Sequence, residues 1–389
     1  MAQVFLRKNE ERRIKNGHLW VFSNEFGKIT GNAENGDIVE LFESNGNPLG
    51  SGFYNKNSLI GVRLFHPSFN GDFGEYASER IAGAYSLRKA LYPNRNSFRL
   101  VFSESDYLPG LIIDKFNDSY VLQVYSAGME KNIDAIVNVL KNLMNAQTIF
   151  THNESYFRKL EGLSDEDKVY FGGIKEEIID DGKLKYRINF NETQKTGFFF
   201  DQCDNREFIE KLVKDKSVLD AFCNSGGFGM HAAHAGAGQV TFVDASDAEI
   251  NNVKINYELN NLTAEKEFIK ADVFDFLEKS ISENKKFDVV MLDPPAFAKS
   301  RKSLPSAIKG YIKLNRLALE IVNENGFLVT SSCSYHLKEN DFTEAVSLAA
   351  AKSGRKIQQI YFNGASLDHP RIPAMEETSY LKFAIFKIS

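Results

Sequence analysis

Cysteine is scarce in this chain: three residues in 389, Cys203, Cys223 and Cys333, odd in number and widely spaced. None belongs to a C-x-x-C pair and no His-x-His accompanies them, which argues against a disulfide framework and structural zinc, so no metal is expected. Long apolar runs are also absent. No stretch approaches the roughly 18 uninterrupted apolar residues of a membrane span, and the opening MAQVFLRKNEERRIKNGH turns charged too early for a secretory segment. The expected compartment is the cytoplasm, without membrane association. Excess positive charge is missing too. With 47 basic against 52 acidic residues the net charge is −5, which argues against nucleic-acid binding through bulk charge and leaves only local patches. The run RKNEERRIKNGH, with Arg7, Lys8, Arg12, Arg13 and Lys15, is the candidate patch, although such runs most often form solvated faces. There is no G-x-G-x-x-G and no G-K-[ST], so neither a dinucleotide site nor a P-loop is supported. No internal repeat or low-complexity tract is present.

What is there is apolar content, 43% of residues, enough for two or three globular domains. Residues 1–72 carry short stretches such as GDIVELFE and LIGVRLF, broken by GNAENG, SNGNPLGSG and YNKNS, the pattern of a small β-barrel. Residues 73–190 read as an α+β middle module. Its helices are GEYASERIAGAYSLRKALY and NIDAIVNVLKNLM, its strands lie in FRLVFSESDYLPGLIIDKFNDSYVLQVYS, and KVYFGGIKEEIIDDGKLKYRINF closes it. Residues 191–389 alternate strand and helix, from SVLDAFC through GFLVTSSCS, which predicts a doubly wound, mostly parallel α/β sheet. RKIQQIYF and YLKFAIFKI, with no full helix between them, should finish it as an antiparallel pair.

In such a sheet a ligand sits beyond the carboxyl ends of the strands. The first turn there is DAFCNSGGFG, where Gly226 and Gly227 suit a tight turn or a close backbone approach. VTFVDAS then ends in Asp244, placed to accept hydrogen bonds from both hydroxyls of a ribose, and ADVFDFL sets Asp272 within reach of an adenine amino group. Carboxylates at strand ends, Asp220 included, are costly to bury unless a ligand or donor satisfies them. In MLDPPAFAKS, Pro294 and Pro295 form a rigid turn that cannot continue the ladder and so fix Asp293 beyond the strand. Cys333 stands among Ser331, Ser332 and Ser334. On composition alone, a small buried hydrophobe is the commoner role for such a thiol.

In order and spacing, DAFCNSGGFG, VDAS, ADVF, DPPAFAKS and SSCSYH resemble the motifs of class I S-adenosylmethionine-dependent methyltransferases. HLWVFSNEF resembles the start of a PUA RNA-binding domain. ESDYLPGLIIDKF and KTGFFFDQCDNR resemble the middle module and the lead into the catalytic domain of the bacterial 23S ribosomal RNA cytosine-carbon-5 methyltransferases. Nearly the whole chain is covered. The resemblance implies a Rossmann-like α/β catalytic domain over 191–389, S-adenosyl-L-methionine as cofactor, RNA as partner, and admits a homodimer. It implies cofactor contacts from Lys195, Thr196, Gln202, Asp220, Phe222, Asn224, Ser225, Gly226, Gly227, Asp244, Ala245, Asp272, Val273 and Asp293. Substrate contacts would come from Pro294, Pro295, Phe297, Lys299 and, more weakly, His369 in LDHPRIP.

The same resemblance casts Cys333 as the nucleophile that adds to carbon 6 of a cytosine, and Asp293 as the group that holds or protonates the ring edge. Cys223 would line the cofactor turn. Phe198, Phe199 and Phe200 would stack on a flipped base or fill core, and Lys299, Arg301 and Lys302 would meet phosphates or solvent. Ala296 stands where many RNA cytosine-carbon-5 methyltransferases carry a second cysteine for product release, in keeping with the ribosomal subgroup. The base that removes the carbon 5 proton is left unassigned. Two alternatives stay open: a guanine N-methyltransferase of ribosomal RNA, which needs no nucleophilic cysteine, and a catalytically silent RNA-binding protein that keeps the fold.

Overall fold

The computed structural model describes residues 1–191, 196–298 and 300–389. The chain divides into two compact units, one comprising Met1–Gly182, Ile188–Phe200 and Leu367–Thr378, the other Lys183–Arg187, Asp201–Ser366 and Ser379–Ser389.

The first unit begins with β1 (Ala2–Leu6), β2 (Trp20–Phe22), β3 (Phe26–Thr30), β4 (Ile38–Phe42), β5 (Pro48–Tyr54) and β6 (Ile60–Leu64). They form one sheet in the order β2-β6-β5-β4-β1-β3, with β1 and β4 parallel and the other pairs antiparallel. Alternation along these strands turns Val4, Leu6, Val39, Leu41, Val62 and Leu64 into one buried cluster. A second sheet contains β7 (Phe98–Phe102), β8 (Leu111–Phe116), β9 (Ser119–Val124), β10 (Thr148–Thr151) and β11 (Val169–Phe171), in the order β11-β10-β9-β8-β7. Helices Phe73–Leu91 and Ile133–Leu143 contribute to its core. The longer helix starts where Asp72 accepts a hydrogen bond from Glu75 N at 3.0 Å, an N-cap.

Two arginines, Arg88 fully buried and Arg63 largely so, organise this unit. Arg63 lies between Glu104 (2.9 Å) and Glu161 (3.0 Å), while Trp20 Nε1 donates to Glu104 at 2.7 Å. Arg88, fully buried, makes a two-pronged bond to Asp106 and donates to the Asp368 carbonyl at 2.8 Å. Asp368 in turn accepts from Arg99 N at 2.9 Å. The segment Leu367–Thr378 therefore belongs to the first unit although it follows most of the second in sequence.

In chain order β12 (Glu177–Asp180) and β13 (Lys185–Ile188) come next, then the large sheet: β14 (Ser217–Ala221), β15 (Gln239–Asp244), β16 (Glu265–Lys270), β17 (Phe287–Leu292), β18 (Val322–Ser332), β19 (Ile357–Asn363) and β20 (Lys382–Ile388). Its order is β16-β15-β14-β17-β18-β20-β19. Strands β14 to β18 run parallel, and β20 inserts antiparallel between β18 and β19, which meets the expectation of an antiparallel finish. The central strands are mostly apolar, Asp288 of β17 and Asp220 of β14 being exceptions, as suits strands covered on both faces. Strand order reverses at β14 and β17, and a ligand crevice belongs at their carboxyl ends.

The longest helix that the sequence reading did not place is Glu339–Ser353. It follows β18 and stops at Gly354, whose φ of +70° suits a residue without Cβ. Among the described residues no helix is long and apolar enough to cross a membrane.

Replacing Glu104 with Ala would strip one carboxylate from the largely buried Arg63 and the acceptor from Trp20. The expected loss is about 3 kcal/mol, the low end for breaking a buried pair because Glu161 remains. Urea titration followed by fluorescence of Trp20, the sole tryptophan, measures it directly.

Candidate active site

The turn after β14 is held by its own polar groups. Asp220, 1% exposed, accepts a hydrogen bond from Gly229 N at 2.7 Å. Burial drives its pKa up to about 7, against the lowering effect of that N–H. Asp220 is thus spent on the turn, not offered at its mouth. Gly226 adopts φ +86°, and Phe222 and Asn224 also take positive φ, at 61° and 47°. Such conformations in side-chain-bearing residues cluster at functional turns, where the surroundings enforce them. A Cβ on Gly229 would lie 2.3 Å from the Phe242 ring, so the glycine serves the seating of helix Gly227–His234 on the sheet.

Asp244 closes the turn from β15. Its Oδ2 accepts from Asn224 N and its Oδ1 from Ser246 N, each at 3.0 Å, so the half-buried carboxylate is fixed at the strand end with lone pairs to spare. The tight turn, the anchored acid and the two adjacent strand ends fit an adenosyl ligand bearing ribose hydroxyls. Ser225 is buried and its carbonyl accepts from Asn256; Ala245 is exposed beside Asp244. Asp272 is exposed and caps helix Val273–Ser282, accepting from Phe274 N at 2.8 Å and Asp275 N at 3.2 Å, while Val273 is buried below it. Capping by itself accounts for that acid. Cys223 is buried, and desolvation pushes its thiol well up, as suits a lining residue.

At the next strand ends, the register pairs Leu292 of β17 with Thr330 of β18, so Asp293 and Ser331 emerge side by side. Ser331 Oγ donates to Asp293 Oδ1, and Gln202 Nε2 donates to the same oxygen at 3.0 Å. Oδ2 takes part in neither bond. Gln202 is itself buried and held by Asn205, which Asn363 supports in turn. Gln202, expected among the cofactor contacts, has its amide engaged in orienting Asp293. Burial raises the Asp293 pKa, opposed by these two donors.

The Cys333 turn hangs on hydroxyls that the sequence reading did not connect. Tyr311, fully buried on helix Leu304–Ile321, accepts from Ser332 Oγ at 2.8 Å and shares a hydrogen bond with Ser334 Oγ at 3.0 Å. Ser334 Oγ also accepts from Ala298 N at 3.1 Å, which ties the loop after Asp293 to the turn after β18. Lys382 Nζ donates to the carbonyl of Ser334 at 2.6 Å and to that of Tyr380 at 2.7 Å. Cys333 is partly exposed, whereas the other two cysteines are buried. Pro294 is buried, Pro295 exposed, and Phe297 is half-buried with its ring 4.7 Å from that of Tyr311.

Other expected site residues are engaged differently. His369 and Thr196 are counted with the first unit and are 4% and 3% exposed. His369 Nδ1 is bonded to Asp368 at 2.7 Å and its ring rests near Phe102, so its described bonding is internal. Phe198 and Phe200 are buried against each other, and Phe200 against Phe116, which makes them core; Phe199 is half-buried. Arg301 and Lys302 are exposed. Lys195 and Lys299 lie outside the described residues.

The elevated pKa of Asp220 has a stability consequence. The folded form holds a proton that the unfolded chain releases near the ordinary carboxylate pKa, so its stabilising effect is complete below about 4 and lost as pH rises through about 7. In thermal melts between pH 4 and 8, Asp220→Asn should flatten this decline, because an amide oxygen still accepts from Gly229 but cannot ionise.

The comparisons agree with this architecture. Residues 4–67 match the PUA-like domain family and residues 197–362 the family described as conserved hypothetical protein 95. SMU.776, solved in complex with SAH, superposes over all of both chains with a TM-score of 0.86 at 21% identity, which establishes the fold. A tRNA m1G37 methyltransferase from M. jannaschii reaches 0.52 over 80% of this chain and 78% of its own, at 18% identity. Ribosomal RNA large subunit methyltransferase I of Aliivibrio fischeri is 36% identical, with 98% of each chain covered. Its counterpart in Photobacterium profundum matches at the same identity and coverage. The chain belongs to the ribosomal RNA large subunit methyltransferase I family.

Proposed function

We propose that the protein methylates carbon 5 of a cytosine in large-subunit ribosomal RNA, with Cys333 as nucleophile and Asp293 as the group that manages the ring edge. The observation that carries this reading is the pairing of Asp293 and the Cys333 turn at adjacent parallel strand ends, joined through Ser331. S-adenosylmethionine supplies an electrophilic methyl group. Asp244 and the turn 222–226 are the residues to hold it, beside the strand ends that carry the reacting groups.

Carbon 5 of cytosine is a weak nucleophile until a thiolate adds to carbon 6. As the Cys333 sulfur forms that bond, electron density moves onto nitrogen 3, where a protonated Asp293 can deliver a proton. The upward pKa shift of Asp293 favours its carrying that proton, and its Oδ2, outside the Ser331 and Gln202 bonds, faces no competing donor among them. Carbon 5 then takes the methyl group, as the methyl–sulfur bond breaks and its electron pair leaves with the neutral thioether product, and afterwards gives its own proton to a base. The carbon–sulfur bond breaks as the double bond re-forms, nitrogen 3 returns its proton to Asp293, and Cys333 leaves as thiolate.

The division of labour follows the proposed domains: a PUA-like domain over 1–72 and a middle module over 73–190 to engage RNA, and a catalytic domain over 191–389. The net charge of −5 is compatible with recognition by RNA shape and a flipped or single-stranded base.

Ribosomal RNA from cells lacking this enzyme, incubated with isotope-labelled S-adenosylmethionine and then digested to nucleosides for mass spectrometry, tests the reading. Labelled 5-methylcytosine should form with the wild type and fall at least about a thousandfold with Cys333→Ser, as expected when a covalent nucleophile is lost. Label on guanine, undiminished by that substitution, would instead identify a nitrogen methyltransferase and return Cys333 to a structural role.

A further inference from the structure

Lysine side chains are rarely buried, because removing an ammonium from water is costly unless partners compensate. Lys382 is 4% exposed, at the first position of β20. It pairs across the sheet with Ser332, the last residue of β18, so both side chains leave the same face. Its ammonium reaches past the strand end to the Ser334 carbonyl, one residue beyond Cys333, and is steadied by the carbonyl of Tyr380. Both of these acceptors are neutral carbonyls.

Resting on the reading of Cys333 as nucleophile, we propose that Lys382 is a positioning residue for the methyl transfer: clamped to the Ser334 carbonyl, its buried ammonium shapes the Cys333 turn and holds that thiol as thiolate. A cation in a low-dielectric setting favours ionisation of a neighbouring thiol, the arrangement by which reactive cysteines are usually activated. The coupling is mutual. Burial pushes Lys382 down to about 8, and the negative charge of Cys333 works in the opposite direction. At neutral pH the lysine therefore keeps its proton while favouring loss of the proton of Cys333.

Other titratable groups surround the pair. Tyr311 comes from helix Leu304–Ile321, with its hydroxyl pKa raised by burial. Lys338 and Glu339, at the start of helix Glu339–Ser353, act on Lys382 with opposite signs. Asp293 is bonded to Ser331, two residues before the thiol, and its upward shift reduces its negative charge there. Lys382 is the buried cation of this group.

The test reads the thiol itself. The rate of iodoacetamide alkylation of Cys333, followed by peptide mass spectrometry across pH 5 to 10, reports the thiolate fraction without cofactor or RNA. Wild-type Cys333 should reach half-maximal reactivity at least about one pH unit below the ordinary thiol value of about 8.5. Lys382→Met should move the midpoint up by about one unit or more, and Lys382→Arg should restore part of the shift. Circular dichroism and binding of S-adenosylhomocysteine verify that each variant is folded. A wild-type midpoint at or above about 8.5 overturns the proposal without need of any variant, as does a folded Lys382→Met protein with an unmoved profile. Methylation that survives Cys333→Ser would sink the nucleophile reading separately, and with it the role of Lys382 in transfer, while the alkylation profile would still show whether the pair exists.

Discussion

The hydrogen bond from Ser331 to Asp293 ties together the ends of two parallel strands, and the candidate reacting groups stand on those ends. Parallel neighbours bring their carboxyl termini to one edge of the sheet, so a single side-chain bond can join loops that are almost forty residues apart in sequence. Around it the polar groups form a connected series. Asn363, Asn205 and Gln202 orient Asp293 from one side, and Tyr311, Ser332 and Ser334 hold the Cys333 turn from the other. Buried polar networks rigidify a site when their members are satisfied, and reacting atoms benefit directly from fixed positions.

The cofactor side of the site follows a different economy. Its turn is strained at Phe222 and Asn224 and depends on Gly226 for a left-handed residue. That cost of roughly 1–3 kcal/mol per strained residue is offset by local bonds, chiefly Gly229 to Asp220 and Asn224 to Asp244. Of the three strand-end acids, Asp220 supports the turn from below, Asp272 caps a helix, and Asp244 alone is both anchored and half-exposed. Identical side chains at equivalent strand ends thus do unlike work, because each meets a different set of backbone N–H groups.

Much of the architecture was legible in the sequence. Period-two alternation in β4, apolar runs in β14 and β17, and helical spacing between them announced the sheets and their class. The two prolines after Asp293 and the glycine-rich turn marked both halves of the site, since proline and glycine restrict or free the backbone wherever they occur. The helix Glu339–Ser353 was missed because its small, alanine-rich face lacks bulky apolar periodicity.

Other features depend on contacts between residues distant in the chain. Local pattern cannot tell that Gln202 orients Asp293 from 91 positions away, that Lys382 meets the carbonyl beyond Cys333 from 48 positions away, or that Tyr311 secures the serines around it. Nor can it announce the return of Asp368 to Arg99. Composition and periodicity determined which elements form, because those depend on backbone preference and on which faces avoid water. Tertiary structure decided which carboxylate is buried, which amide is already engaged and which cation meets the carbonyl next to Cys333, because hydrogen bonding and desolvation act over a few ångströms of space whatever the separation in sequence.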